Sequence, residues 1–197
     1  MKRLFDIFAS LAALLLLSPL FLVVSIWIII DDGAPLFFTQ MRIGKHQTPF
    51  KLYKFRSMYK DAEASGQLTV GESDPRVTKS GLFIRKYKLD EFAQLINVLK
   101  GEMSIVGPRP EVPKYVAFYN TEQLKVLNVR PGLTDTSSIY YINEDEILGD
   151  VSHPEKAYIE EILPQKLALQ LEYVDQQSFM GDLKLIMKTI GKILSHN

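Results

Sequence analysis

The sequence predicts an α+β chain, mostly helical, seated at a membrane surface as a monotopic protein. Three observations carry this reading. An uncharged apolar run from Ile7 to Ile30 holds Ser18-Pro19 near its middle, two short strand patterns follow at once, and the rest alternates amphipathic helical stretches with glycine and proline breaks. At 197 residues, one sizeable core plus an attachment is expected, dividing the chain into a membrane hairpin over 1–32 and a domain at the interface over 33–197.

Within the apolar run, Pro19 removes an amide donor and its ring collides with the carbonyl four residues back, so the helix must bend or break there. Lys2 and Arg3 precede the run, and Arg42, Lys45, Lys51, Lys54 and Arg56 follow it. Both ends therefore prefer the same, cytoplasmic face. Each half would reach about 16 Å, half of a ~30 Å hydrocarbon layer. A re-entrant helix-break-helix that enters and leaves through one leaflet satisfies charge and length together, and the Ser18 hydroxyl can meet a backbone group freed at the break. A single kinked span is the alternative. The run is too long for a signal peptide, and DDGAPLFF after it offers no small-x-small cleavage pattern, so it is expected to be retained.

Twenty-three basic and twenty-three acidic side chains cancel, so no whole-molecule field would draw the protein to nucleic acid. The absence of Cys excludes disulfides, thiolate metal sites and a cysteine nucleophile. Gly33-Ala34-Pro35 breaks the chain, and LFFTQ (36–40) and FKLYKF (50–55) read as short strands joined through Gly44 and Pro49. Residues 61–80, with Gly66, Gly71 and Asp74-Pro75, read as a long polar loop. A helix is expected from Leu82 to Lys100 with Gly101 as its stop, another from Tyr115 to Leu127, and a turn over 129–132. The stretch 136–148 is ambiguous. Pro154 can open a helix, and Leu163-Pro164 marks a boundary before a second one to about Val174. Last, Met180, Leu183, Met187, Ile190 and Leu194 form an apolar stripe beside Lys184, Lys188 and Lys192. That is the pattern of an interfacial amphipathic helix in a headgroup layer, or of a surface helix with its stripe in the core.

Asp90 and Glu91 lie at the head of an expected helix in KLDEFAQLINVLKGEMSIVGPRP (88–110). Neighbours in a helix point about 100° apart, so they can address one site only from a helix end, where free amides and the dipole also attract a phosphate. A plain helix cap is the bland reading of Asp90. Arg85 lies about one and a half turns upstream, and Arg109 is pinned between Pro108 and Pro110, where a guanidinium can be fixed for phosphate oxygens. The strip Tyr53, Lys54, Phe55, Arg56 can grip a nucleotide or lipid phosphate, or simply sit on anionic lipid. Phosphate loops of the P-loop or Rossmann type are absent, and His46, His153 and His196 show no ligand spacing. A carboxylate nucleophile beside a second carboxylate needs a cation if its substrate is a diphosphate, and Mg2+ is the expected ion.

These motifs, taken in order, resemble the bacterial polyprenyl-phosphate hexose-1-phosphate transferases, also called monotopic phosphoglycosyl transferases, in their minimal catalytic form. The likeness runs through KRLFDI (2–7), Ser18-Pro19, FFTQMRIG (37–44), YKFRSM (53–58), DPRVTKSG (74–81), LDE (89–91), INVLKGEMSIVGPRP (96–110) and VRPGLT (129–134). The resemblance implies a re-entrant membrane helix, a nucleophilic Asp90 that also meets magnesium, and Glu91 as proton acceptor or metal partner. It implies Arg85 and Arg109 on phosphate oxygens, with Lys54, Arg56 and Arg130 at basic motif positions. It further implies a UDP-sugar donor, a polyprenyl phosphate acceptor, UMP as the second product, downstream glycosyltransferases as partners, and a place on the cytoplasmic face of the bacterial inner membrane. A non-catalytic membrane adaptor of a glycan-assembly complex is the rival reading. Two departures stand out: Ala93 where the family usually has proline, and Asp135 where many members have glycine, ahead of TSSIYYINEDE (136–146) on the expected pocket side.

Overall fold

The computed structural model describes residues 1–60, 62 and 74–195, with Leu194 described by its backbone alone. The expected polar loop over 61–80 lies largely outside the described residues, together with Gly66, Gly71 and His196.

One helix, α1 (Lys2–Asp32), takes up the whole apolar run, and Pro19 does not interrupt it. Of the two outcomes expected at the proline, a bend or a break, the break is corrected: the helix continues through Pro19. The reason is local: Leu15 O, the carbonyl that an amide at position 19 would have bonded, accepts from Ser18 Oγ at 2.8 Å. Gly33, at φ 70°, ends the helix and donates its amide to Ile29 O at 2.9 Å.

Both ends of α1 are fastened to one and the same body of protein. Near its start, Lys2 Nζ donates to Val106 O at 2.8 Å and Tyr173 OH at 2.9 Å. Asp6 accepts from Ser104 Oγ at 2.9 Å and the Ile105 amide at 3.1 Å. Near its end, Val24 and Ile28 are buried against Phe55, Ile84, Leu89 and Ala93, and Asp31 accepts from the Ser80 amide at 2.7 Å. Between these anchors Leu15, Leu16 and Leu22 are 67%, 81% and 62% exposed, while the polar Asp6 and Ser10 are buried. Apolar side chains outward and polar ones inward is the pattern of a helix whose solvent is lipid.

The predicted strands form a hairpin, β1 (Phe37–Ile43) and β2 (Pro49–Phe55), paired antiparallel with Phe38 opposite Lys54. Because strand side chains alternate, Lys54 shares a face with Phe50 and Leu52, which are buried against Val98 and Met103. The helix expected over 82–100 is divided. α2 (Lys79–Lys86), capped by Thr78 Oγ1 on the Gly81 amide, stops at Tyr87; Lys88 takes φ 54°; and the chain restarts as a 3₁₀ turn (Leu89–Gln94) leading into α3 (Leu95–Lys100). Leu82 and Phe83 of α2 are 56% and 42% exposed, whereas Leu89, Ala93, Leu95 and Val98 are buried. One straight helix cannot send both sets to their different surroundings. Gly101, at φ 86°, ends α3 as expected, and Arg3 covers its last carbonyls, Val98 O at 2.6 Å and Leu99 O at 3.0 Å.

Beyond α3 come β3 (Ser104–Val106) and α4 (Pro113–Val116). The helix expected over 115–127 is likewise corrected: Asn120 and Gln123 exchange side-chain-to-amide bonds of 2.9 Å each and restart the chain as a 3₁₀ turn, Gln123–Asn128. β4 (Gly132–Thr134) then pairs parallel to β3, with Ser104 opposite Gly132 and Val106 opposite Thr134. The ambiguous stretch becomes two short helices, α5 (Thr136–Tyr140) and α6 (Glu144–Gly149). Pro154 opens α7 (Pro154–Ala157), and a second helix, α8 (Leu163–Asp175), begins at the expected Leu163-Pro164 boundary, where a π turn, Tyr158–Ile162, joins the two without a gap. The wider turn takes in Glu160, whose carbonyl the proline cannot bond. Tyr158, Ile162 and Leu167 join Val112, Val126 and Leu148 in the main core.

α9 (Phe179–Ser195) decides between the two readings of its stripe. Met180, Met187 and Ile190 are 63%, 68% and 48% exposed, so these three stripe residues face outward while Leu183 is half-buried, and Asp182 and Thr189 face the protein instead.

Candidate active site

Four local devices converge on one cavity. The 3₁₀ turn presents Asp90 and Glu91 together in its first turn, because Lys88 in the left-handed region reorients the chain just before them. β2 delivers Lys54, whose Nζ lies 3.4 Å from Asp90 Oδ2 and 3.3 Å from Glu91 Oε1, one ammonium shared by two carboxylates. Asp90 is almost wholly buried and Glu91 is partly so.

The third device is the Gly107-Pro108-Arg109-Pro110 loop, locked to β4 by bonds from the Gly107 amide to Thr134 O (3.1 Å) and the Gly132 amide to Pro108 O (2.9 Å). Gly107 and Gly132 touch backbone to backbone. A Cβ on Gly132 would lie 2.1 Å from Gly107 N, and one on Gly107 2.4 Å from Arg130 O, so only glycine permits this crossing. The loop aims Arg109 at Glu91: Nη1 donates to Oε2 at 3.1 Å and Nη2 to Oε1, a two-pronged charge-assisted pair. Burial works against charge on Glu91, but Arg109 and then Lys54 outweigh it and hold this carboxyl well below the usual carboxylate range. Burial likewise works against the Arg109 charge, and Glu91 more than restores it, so the arginine is held cationic still more firmly.

The fourth device is α2, whose Arg85 reaches across to α6 and pairs with Asp145 at 2.9 Å. Lys54, Arg85, Asp90, Glu91 and Arg109 all line one cavity of about 920 Å³, of the size that holds a small-molecule substrate. Its walls differ in chemistry. Ala9 and Ala13 of α1 with Ile190 of α9 form an apolar side, while Tyr141, Asn143 and Lys166 belong to a polar one.

Two expected residues are placed elsewhere. Arg56 follows the end of β2 and is buried at the foot of α1, donating to Asp32 O at 3.0 Å and Gly33 O at 2.5 Å. It closes the helix end instead of facing the cavity. Arg130 donates from Nε to Gly101 O at 2.9 Å and is likewise outside the cavity lining. Sequence reasoning also missed Asp135, which it met only as a departure. It is fully buried and caps α5 through the Ser138 amide at 2.6 Å; Asp directly before Thr-Ser-Ser carried that capping signal.

Among the described residues no group of three or more His, Cys, Asp or Glu forms a metal cage. Six carboxylates line the cavity, and four of them are engaged by cations: Glu91 by Arg109, Glu111 by Arg42, Glu144 by Lys166 and Asp145 by Arg85, leaving Asp90, with its long contact to Lys54, and Glu146.

The sequence profile of the bacterial sugar transferases matches residues 1–196. The chain is 38% identical over 194 residues to the uncharacterized sugar transferase EpsL of Bacillus subtilis (strain 168), covering 98% of this chain and 87% of that protein. It is 36% identical over 204 residues to the undecaprenyl-phosphate glucose phosphotransferase of Komagataeibacter xylinus, covering 100% of this chain and 36% of that protein. Similarity to the UDP-N-acetylgalactosamine-undecaprenyl-phosphate N-acetylgalactosaminephosphotransferase of Aeromonas hydrophila is 34% over 200 residues, covering 98% of this chain and 44% of that protein. With carboxylates, cations and an outward-facing apolar helix assembled around one cavity, the chain belongs to the bacterial sugar transferase family and is a sugar-1-phosphate transferase.

Proposed function

We propose that the protein transfers a sugar 1-phosphate from a UDP-sugar to a polyprenyl phosphate, through a phosphosugar held on Asp90, as the first membrane step of surface glycan assembly. The observation that carries this reading is the different state of the two adjacent carboxylates. Glu91 is bound in a fork by Arg109, whereas Asp90 has one long contact to Lys54 and faces the cavity. An oxygen free to attack beside one that is fully engaged suits covalent transfer.

In the first half-reaction an Asp90 carboxylate oxygen forms a bond to the sugar-bearing phosphorus, and the bond from that phosphorus to the bridging oxygen breaks. UMP leaves with that oxygen and both bonding electrons. In the second half-reaction an oxygen of the polyprenyl phosphate attacks the same phosphorus, the acyl phosphate breaks, and the Asp90 carboxylate is restored. Lys54 offsets the like charges of Asp90, Glu91 and the incoming phosphates, and Arg85 and Arg109 lie where phosphate oxygens can be steadied. Glu91, held ionised by Arg109, keeps that guanidinium fixed beside Asp90.

Magnesium fits this donor set as a passenger on the substrate, since that ion is commonly held by one or two carboxylates plus substrate phosphates. Asp90 would hold it, and it would supply charge neutralisation at the diphosphate. Fastening both ends of α1 to one domain supports a re-entrant helix, because a membrane-wide span would place the ends on opposite faces. The apolar wall from α1 and α9 suits a lipid acceptor, and the polar wall suits the sugar nucleotide. The catalytic domain then lies on the cytoplasmic face of the bacterial inner membrane, where downstream glycosyltransferases take up the product.

The test uses purified protein in nanodiscs with magnesium, a panel of UDP-sugars and polyprenyl phosphate. The wild type should release UMP with one or more donors and, without acceptor, show a phosphosugar mass adduct that Asp90→Asn lacks. Native-rate transfer by Asp90→Asn would refute the covalent route.

A further inference from the structure

Asp135 is a fully buried carboxylate with four hydrogen bonds that the transfer chemistry leaves unused. Its Oδ2 accepts from the Arg109 amide at 3.2 Å, Ser137 Oγ at 2.7 Å and Gln170 Nε2 at 2.9 Å, while Oδ1 accepts from the Ser138 amide. One side chain thus joins the arginine loop to α5, which follows β4, and to Gln170 of α8, itself part of the cavity lining. A carboxylate in a fully buried place is costly unless such donors surround it. A helix cap alone would have required only Oδ1 and the Ser138 amide.

We propose that Asp135 is a positioning residue for Arg109: it fixes the backbone from which the guanidinium reaches Glu91, and so registers the arginine loop against the polar wall of the cavity. The inference rests on the transfer reading above, in which Arg109 steadies the reacting phosphates. Arg109 has one other tie to this side of the site, Nη1 to Leu133 O at 3.4 Å, which is long. Without the Asp135 bond, the loop keeps its glycine crossing but the residue between the two prolines loses its amide anchor. Misplacement of a phosphate-facing group by about 1 Å can cost on the order of 100-fold in rate.

Two variants separate positioning from bulk stability. Asp135→Ser keeps a capping hydroxyl for α5 but is too short to hold the Arg109 amide. Ser137→Ala removes a different donor from the same carboxylate, lies outside the cavity lining and leaves that amide bond intact. Thermal midpoints, kcat and KM for the UDP-sugar, and the ionisation of Glu91 are measured for both. Glu91 is read by isotope-edited infrared of carboxyl-labelled protein, with Glu91→Gln as the assignment reference. Its charged surroundings are Arg109, Lys54, Lys88 and the neighbouring Asp90.

We expect Asp135→Ser to lower kcat about 10- to 100-fold, with KM much less affected, and to move the Glu91 titration upward. Ser137→Ala should lose a similar share of thermal stability while keeping near-native kcat and Glu91 titration. Equal loss of kcat in both variants, or native kcat and Glu91 titration in Asp135→Ser, overturns the proposal. Should Asp135→Ser fail to fold, Asp135→Asn keeps the side-chain shape and sets an amide against the three Oδ2 donors, with the same expectations. Absence of UMP release by the wild type would count against the transfer reading alone, since the infrared arm still tests the tether.

Discussion

Removing Arg109 probes the site at its most tightly coupled contact. Arg109→Ala deletes both prongs on Glu91, whose side chain is 20% exposed against 27% for the arginine. Breaking a fully buried pair from one side costs about 3–5 kcal/mol; with this residual exposure we expect ~3 kcal/mol, the low end of that range. If that loss falls wholly on the transition state, kcat/KM drops about 150-fold. Arg109→Lys keeps the charge but not the fork, and one lost charge-assisted bond costs ~1.5 kcal/mol, about tenfold. The pH response has a definite sign. The Glu91 carboxyl is depressed in the folded protein, so the stabilisation of its charge is present above the ordinary carboxylate pKa and is lost only as pH falls through the lowered value. With Arg109 gone, burial is no longer outweighed to the same degree, and the acid limb of both stability and kcat/KM moves to higher pH. UMP release across a pH series, alongside thermal melts at each pH, measures this. Native kcat/KM and an unmoved acid limb in Arg109→Ala would refute the coupling.

Other outcomes follow from the same geometry. Gly132→Ala sets a methyl 2.1 Å from Gly107 N and should lower stability by more than ~3 kcal/mol, whereas Gly191→Ala, with nothing within 4 Å, should be neutral or slightly stabilising in the same melts. Arg56→Met should lower the thermal midpoint, by ~2–3 kcal/mol, while leaving KM for the UDP-sugar near native, because Arg56 is buried away from the cavity lining with its Nη2 donating to Asp32 O and Gly33 O; a large KM effect with normal melting would restore a substrate role. A cysteine inserted after Met1 and another at Ala34→Cys, in a chain with no native cysteine, should label from the same face of intact spheroplasts. Labelling from opposite faces would remove the re-entrant reading.

Much of this protein is legible in its order of residues. The apolar run, the hairpin, Gly101 as a helix stop, Pro154 as a start and the Asp90-Glu91 pair at the opening of a turn all depend on near neighbours: hydropathy, alternation, backbone freedom and a missing amide. The errors share a cause. The divided helices over 82–100 and 115–127 turn on what each face meets or which side chain restarts the chain, and periodicity alone is blind to both.

The site divides along the same line. Sequence alone determined which chemical groups are present, namely a carboxylate pair, a proline-pinned arginine and a membrane-seeking first helix, because those follow from residue type and spacing. Tertiary structure decided which cations reach the carboxylates: Lys54 and Arg109 meet Glu91, while Arg56 and Arg130 serve helix ends. The physical reason is that strand alternation, the Gly107–Gly132 crossing and the buried Asp135 fix side-chain direction through contacts far apart in the chain, and the direction of a charge, more than its presence, determines what it can stabilise.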